Sequence, residues 1–140
     1  MQETTPTLKL DRPPIAILGV PFDNVNLTEA LALVGEMIAS GQPHYATTVG
    51  VDFLAAAMDD VELRRILFDA HLLCAEDKTV VWASKILGNE LPGTVTVPEL
   101  IPQLLAQAER KQWRVFLLGG DETNEKFLRA ARELIDRAGA

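Results

Sequence analysis

The sequence predicts an α/β fold, Rossmann-like in outline, with a mainly parallel sheet flanked by helices. Three observations carry that expectation. Short β-prone apolar runs alternate with stretches in which apolar residues recur at helical spacing. Most of the runs end at a Pro, a Gly or an acidic pair, as buried strands do. Two of the helical stretches open with the pairing of a small polar residue and a Glu three positions later, a capping box.

In order along the chain, residues 1–13 (MQETTPTLKLDRP) are polar and Pro-punctuated and are expected to form a flexible arm, with one domain over 14–140. IAILGV (15–20), ended by Pro21, reads as the first strand. Asn26 and Glu29 open a helix whose face is Leu27, Ala30, Leu31, Val34, Met37 and Ile38, and Gly41-Gln42-Pro43 stops it. HYATTVG (44–50) is a second strand closed by Gly50, and 51–68 is helical with a break near Asp59-Asp60. AHLLCA (70–75) is a third strand, and TVVWASKIL (79–87) a short helix expected to bury Val80, Val81, Trp82 and Leu87. Thr96 and Glu99 open the next helix, along Val97, Leu100, Ile101, Leu104, Leu105 and Ala108. WRVFLLGG (113–120) reads as the clearest strand and 121–139 as a last amphipathic helix. A doubly wound domain usually adds strands beyond such a point, so the chain is expected to be truncated at its C-terminal side.

Composition narrows the function classes. At 140 residues the chain is at most one domain with a real core. A net charge of −7 argues against a general nucleic-acid surface. No apolar run approaches the ~18 residues of a membrane span. Cys74, the single cysteine, cannot form an internal disulfide, which fits a reducing cytoplasm. His44 and His71 lack partners at metal-ligand spacing, so no metal site is expected. Ser84 sits in a helical run without a G-x-S-x-G elbow, so a serine hydrolase is not supported. Trp82 and Trp113 read as core.

Ligands of open parallel sheets bind beyond the carboxyl ends of the strands. Three strand ends therefore matter: Thr48 to Gly50, Ala75 to Asp77, and Gly119 to Asp121. Gly119-Gly120 before a helix could admit a phosphate, but a tight turn is favoured because the G-x-G-x-x-G spacing is absent. Glu76 or Asp77 could act as a general base, or cap the helix beginning near Thr79; on the residues alone the cap is favoured. Adjacent residues on an extended strand face opposite ways, so the two do not suggest a carboxylate dyad. Thr48 could hold a ligand oxygen or be an ordinary strand residue.

The segments ILGVPFDNVNLTEAL, TTVGVDFLAAAMDD, LLCAEDKTVVWASKILGNELPGTVTVPEL and WRVFLLGGDE, in unbroken order over roughly residues 15–125, resemble the WecG/TagA/CpsF family of bacterial glycosyltransferases. The resemblance implies a hexosyltransferase-type enzyme of cell-wall teichoic acid or surface polysaccharide synthesis. Such an enzyme moves an N-acetylmannosamine-type or related sugar from a UDP-sugar donor to a lipid-diphosphate-linked acceptor. It implies no cofactor or metal and a cytoplasmic protein at the inner face of the cell membrane with peripheral membrane contact. A homo-oligomer is a separate expectation that the sequence does not decide. Within the family pattern, Thr48 matches T-x-N while Gly50 stands where the Asn belongs. Glu76 falls on the catalytic-base position of P-D-G-x-G, with Asp77 and Thr79 in place of both glycines. Glu99 falls on the Asp of T-G-x-D-L, with Val97 at the Gly. Glu76 and Thr48 are therefore the implied catalytic residues, and Asp77, Glu99, Gly119 and Gly120 the implied substrate-binding positions. The lost glycines leave a second expectation, a non-catalytic relative that binds nucleotide-sugar or serves as an assembly partner.

Overall fold

The apolar run IAILGVPF folds back on itself instead of running on as one strand. In the computed structural model, which describes residues 11–118 together with Arg129, Arg132, Glu133 and Asp136, β1 (Ile15–Ile17) and β2 (Val20–Phe22) form an antiparallel hairpin. Leu18 and Gly19 make the turn with φ of 49° and 77°. Two successive positive φ values match the twist of flanking strands. Pro21, expected to end a strand, lies inside β2, opposite Ala16.

The elements that follow are α1 (Leu27–Ala39), β3 (Ala46–Val49), α2 (Val51–Asp59), α3 (Val61–Phe68), β4 (Leu72–Ala75), α4 (Lys78–Ile86) and α5 (Val97–Lys111). The fold is mixed α/β: among the described residues there are five helices and two small sheets, one of them the parallel pair β3–β4. Local signals act as expected. Asn26 and Glu29 close a reciprocal capping box on α1, and Glu29 also pairs with Arg12. Asp60 separates α2 from α3 and caps the latter by accepting the Leu63 N–H at 2.9 Å.

The chain divides into two compact units, Met1–Val97 and Pro98–Ala140. The core of the first gathers Ile17, Phe22, Val49, Leu54, Leu73, Val80 and Leu91. All four residues of β4 are buried, so both faces of the strand are covered, and its backbone is met on both edges. One edge takes β3, with Thr48 opposite Cys74 and Val49 opposite Ala75. The other meets the end of the hairpin: the Asp23 N–H donates to the Leu73 carbonyl at 2.8 Å, and the Leu73 N–H donates to Asp23 Oδ2, also at 2.8 Å. Further along that edge the Val95 N–H reaches the Ala75 carbonyl at 2.8 Å.

α4 departs from expectation. It buries one stripe, Val80 and Ser84, four residues apart on one face. Val81 packs partly against the core, but Trp82 is 64% exposed and Leu87 57% exposed. Apolar residues around the helix outnumber the single face that the core can cover. Ser84 is fully buried and serves as an anchor: its hydroxyl donates to the Val81 carbonyl at 2.6 Å and accepts the Leu91 N–H at 2.9 Å. Gly88, at φ 84°, ends the helix and lets the chain turn into Asn89–Leu91.

In the second unit, α5 carries Arg110 and Lys111 in its last turn, where they complement the helix dipole. The clearest strand is expected over 113–120; its described part, residues 113–118, has no regular structure, and Phe116 and Leu118 are 85% and 91% exposed. An apolar run becomes a strand only where a neighbour supplies the ladder, and among the described residues none pairs with it. The predicted last helix lies largely outside the described residues, as do most of the predicted arm and Gly119 and Gly120.

Candidate functional site

The site grows from the parallel pair. Because β3 and β4 run the same way, their carboxyl ends meet at one edge, and the helices that follow both strands begin there. Thr48 and Cys74 are register partners, and alternation puts Glu76 on the face that they share. The ladder continues one step past β4, the Glu76 N–H donating to the Val49 carbonyl at 3.0 Å. Thr48 and Glu76 thus stand at one edge, on one face.

Glu76 is half-buried. Its Oε1 faces the Val97 N–H at 3.4 Å, a long contact. Its Oε2 is buried without a hydrogen-bond partner among the described residues. Buried polar atoms are nearly always paired, and leaving one unpaired costs ~1–3 kcal/mol. The oxygen therefore keeps a hydrogen-bonding capacity that the described residues do not use.

Asp77 has a different occupation. As the N-cap of α4 it accepts the Val80 N–H on Oδ1 at 2.9 Å, the cap that its position before the helix suggests. Its Oδ2 accepts the Val51 N–H at 2.8 Å, so the same carboxylate also serves the first turn of α2. Both oxygens of Asp77 are committed to backbone amides, while Glu76 keeps an oxygen open.

Two carboxylates, Asp23 and Glu76, act on the buried Cys74. Burial, with Asp23 and Glu76 adding to it, pushes its thiol up to about 12. Burial also raises the Asp23 carboxyl above its ordinary value, against the opposing pull of the Leu73 N–H. Glu99 lies in the first turn of α5, in the second unit. Gly119 and Gly120 fall outside the described residues. His44 and His71 meet edge to face at 4.6 Å, His71 Nδ1 accepting the Tyr45 N–H at 3.3 Å. They stand at the amino ends of β3 and β4, away from Glu76. Among the described residues no group of three or more metal-ligating side chains gathers, and no helix is long and apolar enough to cross a membrane.

Sequence reasoning overlooks three residues. Asp23, which nothing in the sequence singles out, completes an edge of β4. Ser84, set aside as a nucleophile for want of a G-x-S-x-G elbow, acts as the anchor of the Asn89–Leu91 loop. Gly50 reads as a strand terminator, but its lack of a side chain makes room for Asp77: a Cβ there would stand 2.8 Å from Asp77 Oδ2.

The family model described as the glycosyl transferase WecG/TagA/CpsF family matches residues 15–138. No curated protein matches the chain.

Proposed function

The chain belongs to the WecG/TagA/CpsF family of glycosyltransferases, which makes it a transferase of polysaccharide synthesis, and on that premise we propose that the carboxyl edge of β3–β4 is its active site. In this reading a sugar passes from a UDP-sugar, of the N-acetylmannosamine type or a close relative, to a hydroxyl of a lipid-diphosphate-linked acceptor. Glu76 takes the proton from that hydroxyl as the new glycosidic bond forms and the bond to the nucleotide diphosphate breaks. Thr48, on the same face, positions the acceptor or the sugar. By the family pattern, Glu99, Gly119 and Gly120 are substrate-binding positions. The reaction takes place at the inner face of the cell membrane.

The observation that supports this reading best is the unpaired oxygen of Glu76, at the edge where parallel sheets hold their ligands. A general base needs a free acceptor within reach of the substrate hydroxyl, and a positioned one contributes roughly 10²–10⁴-fold to rate. One observation favours a second reading, a relative that binds nucleotide-sugar without turning it over. Asp77 stands where the family pattern has glycine and fills helix amides that would otherwise face an anionic donor.

Calorimetry with UDP and a panel of UDP-N-acetylhexosamines, beside a transfer assay on a lipid-diphosphate-linked acceptor, separates the two. Binding with transfer is the expected result. Binding without transfer supports the second reading, and neither binding nor transfer contradicts both.

A further inference from the structure

We propose that Gly50 and Asp77 act as one unit, a clamp that joins the first turns of α2 and α4 and thereby fixes the edge from which Glu76 projects. The part of this proposal that concerns turnover rests on the reading of that edge as the active site.

Glycine at position 50 is not required by backbone conformation. Gly50 is the N-cap of α2 with φ −93° and ψ 175°, an extended geometry open to any residue. Asn or Ser would ordinarily be favoured there, because its side chain would cap α2. Gly50 supplies no such cap. What requires glycine is space: a Cβ at position 50 would sit 2.8 Å from Asp77 Oδ2 and 3.9 Å from Glu76 Cβ. The first distance is far inside van der Waals contact, and the atom met is not the end of a freely moving chain. Asp77 Oδ2 is fixed by the Val51 N–H while Oδ1 is fixed by the Val80 N–H.

The cap that α2 cannot obtain from its own residue 50 therefore arrives from residue 77, across the sheet. A single short carboxylate spans two helix starts, so it sets their separation as well as satisfying their amides. Both helices follow directly from the strand ends that carry Thr48 and Glu76. Asp77 is in this sense a positioning residue for its neighbour, and Gly50 is the gap that lets it be one.

Two measurements on the whole chain test the clamp. The first is a denaturation cycle of Gly50→Ala, Asp77→Ser and the double variant. Ser can still cap α4 but is too short to reach Val51, so the clash at position 50 disappears with it. Gly50→Ala should then cost less in the Asp77→Ser background than in the parent, by at least about fivefold in the unfolding equilibrium constant, within the range for side chains in contact. Additive losses would overturn the clamp. The second is Asp77→Asn, whose amide oxygen can cap α4 while its NH₂ group cannot accept the Val51 N–H. Transfer kcat should fall about tenfold, with the donor KM within about twofold of the parent, a split expected for lost positioning and not for lost stability. A parental kcat in Asp77→Asn would overturn the positioning role even if the cycle shows coupling. A parent chain that binds donor without transfer contradicts the enzyme reading alone, and the cycle then decides the clamp.

Discussion

The Val97 N–H approaches Glu76 Oε1 at 3.4 Å and leaves Glu76 Oε2 buried beside it without a partner among the described residues. The next residue, Asp77, is placed the opposite way, each of its oxygens holding the amide of a different helix. Two adjacent carboxylates with the same charge thus have different work: one builds the edge, and the other is left open at it.

Trp82 and Val80 should reverse the ranking that side-chain size suggests. Trp82 is 64% exposed and Val80 1%. Trp82→Ala should change stability by less than about 1 kcal/mol, as surface substitutions do. Val80→Ala should cost about 2–3 kcal/mol for the lost burial and the cavity left behind. Urea unfolding of the two variants checks this, and a larger loss at Trp82 would mean that α4 packs through its other face.

Ser84→Ala should destabilise by about 1–3 kcal/mol, because the Leu91 N–H loses its hydroxyl acceptor in a buried setting. The effect should be local as well. Amide exchange should accelerate first at Leu91, whose N–H loses this tie, and at Asn89, whose N–H bonds the Ser84 carbonyl at 3.1 Å. Exchange unchanged at both amides would remove the anchoring role.

How far these features can be read from the sequence depends on how local they are. The Asn26–Glu29 box and the Asp60 break are legible because donor and acceptor lie three residues apart. The Leu18-Gly19 turn is not, since nothing marks Leu as willing to take a positive φ. Trp82 reads as core because TVVWASKIL is apolar all round, and only the tertiary structure decides which stripe the core covers. The edge that carries Thr48 and Glu76 follows from strand order, whereas the second bond of Asp77 joins residues 26 apart in sequence. The strand expected over 113–120 is absent from its described part, 113–118, for a related reason, because a run of residues does not reveal its ladder partner.

Asp23 should make stability fall as pH rises. Burial holds its carboxyl above the ordinary 3.8, so the folded state keeps the proton more readily than the unfolded chain does. That contribution is fully present below the unfolded value and is lost as pH rises through the folded one. Asp23→Asn retains an oxygen for the Leu73 N–H and carries no charge to bury. Its melting temperature relative to the parent should therefore rise as pH climbs from the ordinary value of 3.8 and level off above the folded value. A relative melting temperature that falls over this interval would mean that Asp23 is stabilised as the anion.

The most direct test of the account is the transfer rate of Glu76→Gln against the parent, with UDP-sugar binding and thermal melts measured on the same samples. Gln keeps the shape of the side chain and cannot take up the acceptor proton. The predicted result is a fall in transfer of about 10²-fold or more, with donor affinity and melting temperature close to those of the parent. Equal transfer by Glu76→Gln and the parent would contradict the assignment of Glu76 as the base.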